Sequence, residues 1–180
     1  GDKEAIASRL NNLALVFRDQ GQLDDALAMF AESLRLVEVL GDVRRAAQRR
    51  CNMARILRMR GRVREARTHL EQALDLQQGI DDPEGLAFVR ARLGLLRLAQ
   101  GEPQVARELI GAALQVNEEL GREDELPLLR RDLARADLAL GALDDAEAGA
   151  GAARAELIAL GRPVAALSAQ LLLVEITLAR

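Results

Sequence analysis

The sequence predicts an all-α fold built from repeated helix–turn–helix units. Three observations predict it: glycines recur at a fixed spacing, leucine and alanine are abundant, and only 2% of the residues are aromatic, with no Trp or Tyr. Strands favour β-branched and aromatic residues, whereas Leu and Ala favour helices. The hydrophobic fraction of 49% can supply a core, and four prolines leave room for long helices.

Two glycine series predict a repeat of 40 residues. Evenly spaced glycines between apolar segments are typical of helix ends, where a left-handed backbone favours Gly. The unit is therefore a helix of about 17–19 residues, a turn, a second such helix and another turn. The series lie 20 residues out of phase and are Gly21, Gly61, Gly101 and Gly141, and Gly1, Gly41, Gly121 and Gly161, with Asp81 in the one gap and Gly79 close to it.

This period divides the chain into four repeats and a half repeat, with about nine helices in a single array. The predicted repeats cover residues 1–40, 41–80, 81–120 and 121–160, and the half repeat covers 161–180. Small and large residues alternate at fixed positions, which lets helices approach closely and interdigitate. The second helices align Ala26, Ala66, Ala106 and Ala146, then Phe30, Leu70, Ile110 and Ala150, then Ser33, Ala73, Ala113 and Ala153.

The first repeat resembles the tetratricopeptide repeat (TPR) family. The residues that carry the resemblance are Leu10, Leu13-Ala14, Phe17, Gly21, Ala26, Phe30 and Ser33. It extends over the whole chain and is weakest in the fourth repeat, where Asp137 and Ala150 replace two aromatic residues. The period exceeds the usual 34 residues and is similar to that of long repeats in bacterial regulators. The resemblance implies a right-handed α-α superhelix, with the first (A) helix of each repeat on the concave face and the second (B) helix on the convex face.

The last helix, from about Pro163 to Arg180, would be the A helix of a fifth repeat. Its stretch Leu171–Ile176 is apolar on more than one face, whereas a terminal helix should have a polar outer face. We expect the chain to be part of a longer array. The alternative is that this helix packs in a homo-oligomer.

The composition of the chain argues against catalysis. An enzyme needs convergent acid, base or nucleophilic groups, but the chain has one His, His69, and one Cys, Cys51, in different helices. We therefore predict no enzyme activity, no metal site and no cofactor. The pairs Asp24-Asp25 and Asp144-Asp145 each follow a turn glycine, where acids cap helix N–H groups and favour the helix dipole.

Charge and hydropathy narrow the range of partners. The net charge of −3 and the scarcity of aromatic residues argue against nucleic acid, so RNA binding is a remote alternative. No apolar run reaches the roughly 18 residues of a membrane span, and an export signal is missing from the start. We expect a cytoplasmic protein.

The resemblance places the candidate binding residues on the A helices. Residues 42–60 carry seven arginines against one aspartate, which indicates a basic face and an acidic, amphipathic peptide or protein partner. Asparagines can hydrogen-bond both groups of a bound backbone. The candidates are Asn11, Asn12, Arg18, Asn52, Arg55, Arg58, Phe88, Arg92, Arg131 and Arg135.

The leading hypothesis is a peptide-binding scaffold that serves as the sensor or interaction arm of a bacterial regulator. The alternative is self-assembly through the open C-terminal helix.

Overall fold

A computed structural model describes residues 1–180 and contains nine α-helices and no strand. This confirms the prediction of an all-α helical repeat. The A helices are the odd-numbered ones and the B helices the even-numbered ones. Their bounds are α1 Asp2–Asp19, α2 Leu23–Val39, α3 Val43–Met59, α4 Val63–Gln78, α5 Pro83–Ala99, α6 Pro103–Glu119, α7 Leu126–Ala139, α8 Leu143–Ala159 and α9 Pro163–Ala179. None of these helices combines the length and the hydropathy needed to span a bilayer.

The turn glycines end the helices as the sequence predicts. At the first turn, the N–H of Gly21 donates to the carbonyl of Arg18, and that of Gln22 to the carbonyl of Phe17. This is the Schellman arrangement, which needs a residue with a left-handed backbone. Seven glycines have φ between 66° and 78°, namely Gly21, Gly41, Gly61, Gly101, Gly121, Gly141 and Gly161.

The turn after α4 is built differently. Gly79 has a φ of −81°, and Asp81 does not take the left-handed backbone of the missing glycine. Instead, Asp82 Oδ1 accepts a hydrogen bond of 3.1 Å from the N–H of Gly85, at the start of α5. A Cβ at Gly85 would lie 2.3 Å from Asp82 Oδ2, so a side chain at this position would displace the Asp82 carboxylate.

The chain divides into two compact units, Gly1–Arg92 (unit 1) and Leu93–Arg180 (unit 2), and α5 contributes to both. In unit 1, the side chains of Phe30 and Ile56 fill the space beside the small residues Ala14 and Ala26. The predicted alternation of small and large residues therefore builds this core, where each large side chain lies beside a close helix contact.

Unit 2 builds the equivalent core with different residues. Ala150 stands where unit 1 has Phe30, and Leu172 and Ile176 of α9 pack against it. Gly94 allows α5 to approach α6 closely, because a Cβ there would lie 2.6 Å from the Ile110 side chain. The weak aromatic pattern of the fourth repeat is thus offset by apolar residues from the next A helix.

Ser33 occupies a position that is Ala in the other B helices, and its hydroxyl makes hydrogen bonds that the sequence did not indicate. The Ser33 hydroxyl is buried and donates a hydrogen bond of 2.7 Å to the carbonyl of Ala7. It also accepts one of 2.9 Å from Nε of Arg49, which is itself buried. Arg49 therefore belongs to the interior, where the hydroxyl and the neighbouring Gln48 satisfy its guanidinium.

The two acidic pairs lie in the first turns of α2 and α8, where negative charge favours the helix dipole. The prediction that they cap these helices is wrong, because no side chain caps either N-terminus. Asp24 instead pairs with Arg60, and Asp144 pairs with Arg180 at 2.6 Å. Each of these ion pairs joins the first turn of a B helix to the end of a later A helix.

Candidate functional site

Eight of the ten candidate residues lie in unit 1, on α1, α3 and the first part of α5. We call this set the unit 1 face. Helical spacing explains why residues of one helix share a side: Asn52 and Arg55 are three positions apart, and Phe88 and Arg92 are four apart. The unit 1 face consists of Asn11, Asn12, Arg18, Asn52, Arg55, Arg58, Phe88 and Arg92.

The asparagines form a short chain of side-chain amides between α1 and α3. Nδ2 of Asn52 donates to Oδ1 of Asn11 at 3.5 Å, and Nδ2 of Asn11 donates to Oδ1 of Asn12 at 3.2 Å. Asn12 is exposed and the other two are half-buried. These bonds use only part of the capacity of each amide, which has two donor hydrogens and an acceptor oxygen. The remaining donors and acceptors can bind a peptide backbone.

The arginines lie close enough for their charges to interact. Arg55 is at the centre: partial desolvation lowers the pKa of its guanidinium, and the charges of Arg18, Arg92 and Arg58 lower that pKa further. Asp19 is the acid that opposes this effect. Because a bound anion would relieve the repulsion between these cations, the cluster is suited to a carboxylate or another acidic group.

Two neighbours fix the ends of this cluster. Arg18 donates two hydrogen bonds, of 2.9 Å and 2.7 Å, to Oδ1 of Asp19. The guanidinium of Arg92 lies 4.8 Å from the centre of the Phe88 ring. Stacking on an aromatic face orients a guanidinium without using its hydrogen-bond donors, so Arg92 keeps its donors for a ligand.

Most of the arginines of α3 do not contribute to the unit 1 face. Arg44 bonds to the carbonyl of Asp81, Arg45 pairs with Glu4 at 2.6 Å, and Arg50 pairs with Glu38 at 2.6 Å. The charge of residues 42–60 therefore overstates the basic character of this face. Some of these pairs, such as Arg45 and Glu4, join residues about one repeat apart in the sequence. An arginine and an acid at that spacing are the signal from which such an ion pair could have been predicted.

The two remaining candidates lie in unit 2, on α7. Arg131 donates to Oδ1 of Asp132 at 2.7 Å and to the Ser168 hydroxyl at 3.1 Å. Asp132 is buried, and the hydrogen bond of Arg131 to Ser168 ties α7 to α9 within the unit. Arg135 is exposed. Asn12, Asn52, Arg92 and Asp132 occupy equivalent positions in the four repeats. At Asp132, an internal ion pair replaces free hydrogen-bonding capacity.

Cys51 and His69 have the environments of packing residues. Burial raises the pKa of the Cys51 thiol to about 12, so the thiol is protonated at neutral pH and is a poor nucleophile. Burial also lowers the pKa of His69, and the nearby charge of Arg50 lowers it further. The two residues lie on different helices, α3 and α4.

Comparison with known proteins identifies the repeat. Residues 5–79 match the family model for the tetratricopeptide repeat. No curated protein matches the chain in sequence.

Solved structures share the fold at low sequence identity. BtubC (BKLC) from P. vanneervenii has a TM-score of 0.71 and 21% identity, over 89% of this chain and 66% of that one. The nearly identical TPR-like repeats of a Podosopora anserina protein assigned as a kinesin light chain have a TM-score of 0.72 and 21% identity, over 98% of this chain and 87% of that one. Aspartyl phosphate phosphatase F from Bacillus subtilis has a TM-score of 0.78 and 16% identity, over 96% of this chain and 45% of that one. The chain thus spans just under two thirds of BtubC and less than half of the phosphatase.

Proposed function

Because residues 5–79 match the tetratricopeptide repeat model and the whole chain has the fold of TPR-like repeats, we propose that it is a protein-binding scaffold whose unit 1 face holds an acidic peptide of a partner protein. The observation that carries the proposal is the convergence of Arg18, Arg58 and Arg92 on the partly desolvated Arg55. Like charges held together in a folded protein cost stability, and an acidic ligand would remove that cost.

The asparagines supply the second half of the recognition. The amides of Asn11, Asn12 and Asn52 lie along α1 and α3 and can bond both the N–H and the C=O of a peptide. Such bonds hold a backbone whatever its side chains are. Specificity then comes from an acidic side chain at the arginines and from an apolar side chain against the half-buried Phe88 ring.

A titration with a defined probe tests the proposal. The probe is a short fluorescein-labelled peptide of glutamate and leucine, and anisotropy measures its binding to the full chain at low salt. Substituting both Arg55→Glu and Arg92→Glu should weaken binding by about a hundredfold or more, because each removes a charge-assisted hydrogen bond worth about 1.5–3 kcal/mol. Added salt should weaken the wild-type interaction, because it screens exposed charges.

The matched control changes charge away from the unit 1 face. Arg154→Glu alters an exposed residue of α8 and lowers the net charge by the same amount as either single variant. It should leave the affinity within about twofold of wild type, and a lysine–leucine peptide should not bind. Equal losses for Arg154→Glu and Arg55→Glu would show a nonspecific charge effect and would refute the assignment of the site.

The wider role proposed is that of an interaction arm in a cytoplasmic bacterial regulatory protein. The length of the repeat and the likeness of fold to the Bacillus subtilis phosphatase support this role. The apo form of RapI also shares the fold, with a TM-score of 0.71 at 13% identity, and this chain spans 44% of it. The proposal is for binding rather than catalysis, since TPR proteins typically act as non-catalytic scaffolds.

A further inference from the structure

We propose that Arg49 is a second anchor of unit 1, which binds an acidic side chain of the peptide held on the unit 1 face. This contact rests on the proposed function, because it belongs to the same bound peptide. Arg49 is only 3% exposed, so its positive charge lies almost entirely inside the protein. Arginine is rarely buried to this extent without an acid beside it.

The charge of Arg49 has no acid of its own, and no ion pair includes it. Nε donates to the Ser33 hydroxyl at 2.9 Å, and Nη1 donates to Oε1 of Gln48 at 2.6 Å, so both acceptors are uncharged. Asp42 is the acid whose charge acts on Arg49. Its carboxylate already accepts from the N–H of Arg45 at 2.9 Å and pairs with the guanidinium of Arg45 at 3.3 Å. Hydrogen bonds therefore hold Arg49 in place without neutralising it.

The repeat shows that packing does not require an arginine at this position. The positions equivalent to Ser33 and Arg49 carry two apolar residues in each of the other cases, and all of these residues are buried. The equivalent pairs are Ala73 and Val89, Ala113 and Leu129, and Ala153 and Ala169. Because a buried charge without a counter-charge costs stability, its presence at this one place points to a role in binding.

Gln48 gives a ligand access to the guanidinium. It is exposed, and it shares one side of α3 with Asn52 and Arg55, which lie four and seven positions further along the helix. An exposed glutamine can change its rotamer at little cost, and a carboxylate oxygen can then take the place of its Oε1. Such a carboxylate would keep the hydrogen bond from Nη1 and supply the negative charge that Arg49 lacks.

The distance between Arg49 and Arg55 sets the spacing of the acids in the ligand. The two residues are six positions apart on α3. At about 1.5 Å per residue, this is about 9 Å along the helix axis. A peptide in the polyproline II conformation advances about 3.1 Å per residue and brings every third side chain to the same side. The ligand class is therefore a peptide with two acidic residues about three positions apart.

Two fluorescein-labelled peptides test the proposal on the full chain. The two-acid peptide carries two glutamates at this spacing among leucine and alanine, and the one-acid peptide has glutamine in place of the second glutamate. In anisotropy titrations at low salt, the wild type should bind the two-acid peptide about tenfold more tightly, because a second charge-assisted hydrogen bond forms.

The test variant carries Ser33→Ala with Arg49→Leu, which reproduces the pair found at Ala113 and Leu129. It should keep the helical circular dichroism of the wild type and bind the one-acid peptide equally well, but it should lose the preference for the two-acid peptide. The control Arg154→Leu removes one positive charge from an exposed residue of α8 and should keep that preference.

A second variant, Gln48→Glu, fills the site from within the chain. Its carboxylate should pair with Arg49, raise the urea midpoint of unfolding and abolish the preference for the two-acid peptide. In the background of Ser33→Ala with Arg49→Leu, the same change should no longer raise the midpoint.

The outcomes separate the anchor from the proposed function. A wild type that binds neither peptide would refute peptide binding at the unit 1 face and the anchor with it. A wild type that binds both peptides with equal affinity would overturn the role of Arg49 and leave peptide binding in place. A preference that survives Ser33→Ala with Arg49→Leu, or that survives Gln48→Glu, would overturn that role in the same way.

Discussion

The arginines on the A helices of the two units serve different purposes. In unit 1, Arg55 lies among other arginines with Asp19 as the opposing acid. In unit 2, Arg131 pairs with the buried Asp132, one position along the same helix, and donates to Ser168 as well. The first arrangement leaves cationic donors for a ligand, while the second satisfies them within the fold.

This difference shows that a repeat position does not by itself define a binding residue. Asn52 and Asp132 occupy equivalent positions 80 residues apart in the sequence. The amide of Asn52 contacts Asn11 at 3.5 Å and is half-buried, while Asp132 is buried with an arginine bound to it. An arginine that lies within reach of a buried acid forms a structural ion pair, whereas an arginine without such an acid can bind a ligand.

The largest expected effect comes from breaking the unit 2 pair. Asp132→Ala should lower the free energy of unfolding by about 2–4 kcal/mol, because it leaves the mostly buried guanidinium of Arg131 without its carboxylate. Asn52→Ala, at the equivalent position of unit 1, should cost about 1 kcal/mol or less. Urea denaturation monitored by circular dichroism measures both changes.

The repeat itself suggests the compensating control. In α9, the two equivalent positions are Leu171 and Leu172, so this part of the repeat accepts a pair of leucines. Substituting both Arg131→Leu and Asp132→Leu should restore most of the stability lost in Asp132→Ala, because a buried ion pair can often be replaced by apolar residues. Similar losses for Asp132→Ala and Asn52→Ala would contradict the contrast between the units.

The sequence alone predicts most of the fold, because its signals are local. A glycine at each turn terminates a helix through its own backbone, and alternating small and large residues determine the packing of neighbouring helices. The turn at 79–82 escaped prediction because it depends on a contact of Asp82 with Gly85 rather than on a left-handed residue. Glycine spacing contains no information about such a side-chain cap.

The site is less predictable, because it depends on the side of the helix to which each arginine points. Counting charge along α3 could not show that Arg49 is buried against Ser33, or that Arg45 and Arg50 reach acids on other helices. These contacts join residues that are distant in sequence. The family pattern did identify Arg55 and Arg92 as candidates, and their proximity emerges only in the structure.

The second prediction concerns pH and acts in unit 1 alone, since His69 is the only histidine. Burial and the charge of Arg50 lower its pKa, against the opposing effect of Glu65, so the unfolded chain takes up a proton at a higher pH than the folded one. Stability should therefore be complete above about pH 6.5, the ordinary pKa of histidine, and should fall as the pH drops below that value.

His69→Gln serves as the matched variant, because glutamine does not titrate. Urea denaturation is measured at intervals between about pH 7.5 and about pH 5.5, a range that brackets the ordinary pKa of histidine. The free energy of unfolding should depend less steeply on pH in this variant than in the wild type. Stability that rises on acidification, or identical slopes for the two proteins, would show that His69 does not control this titration.

The smallest expected effect links stability to binding on the unit 1 face. Arg55→Gln removes one of several neighbouring positive charges, so it should raise the free energy of unfolding by about 0.5 kcal/mol at low salt. The same variant should bind the glutamate–leucine peptide more weakly than the wild type does. The gain should fade as salt screens the remaining arginines. Arg131→Gln should instead lower stability, because Asp132 would lose its partner. If Arg55→Gln destabilised the chain as Arg131→Gln does, Arg55 would be a structural residue, and the distinction between the two units would fail.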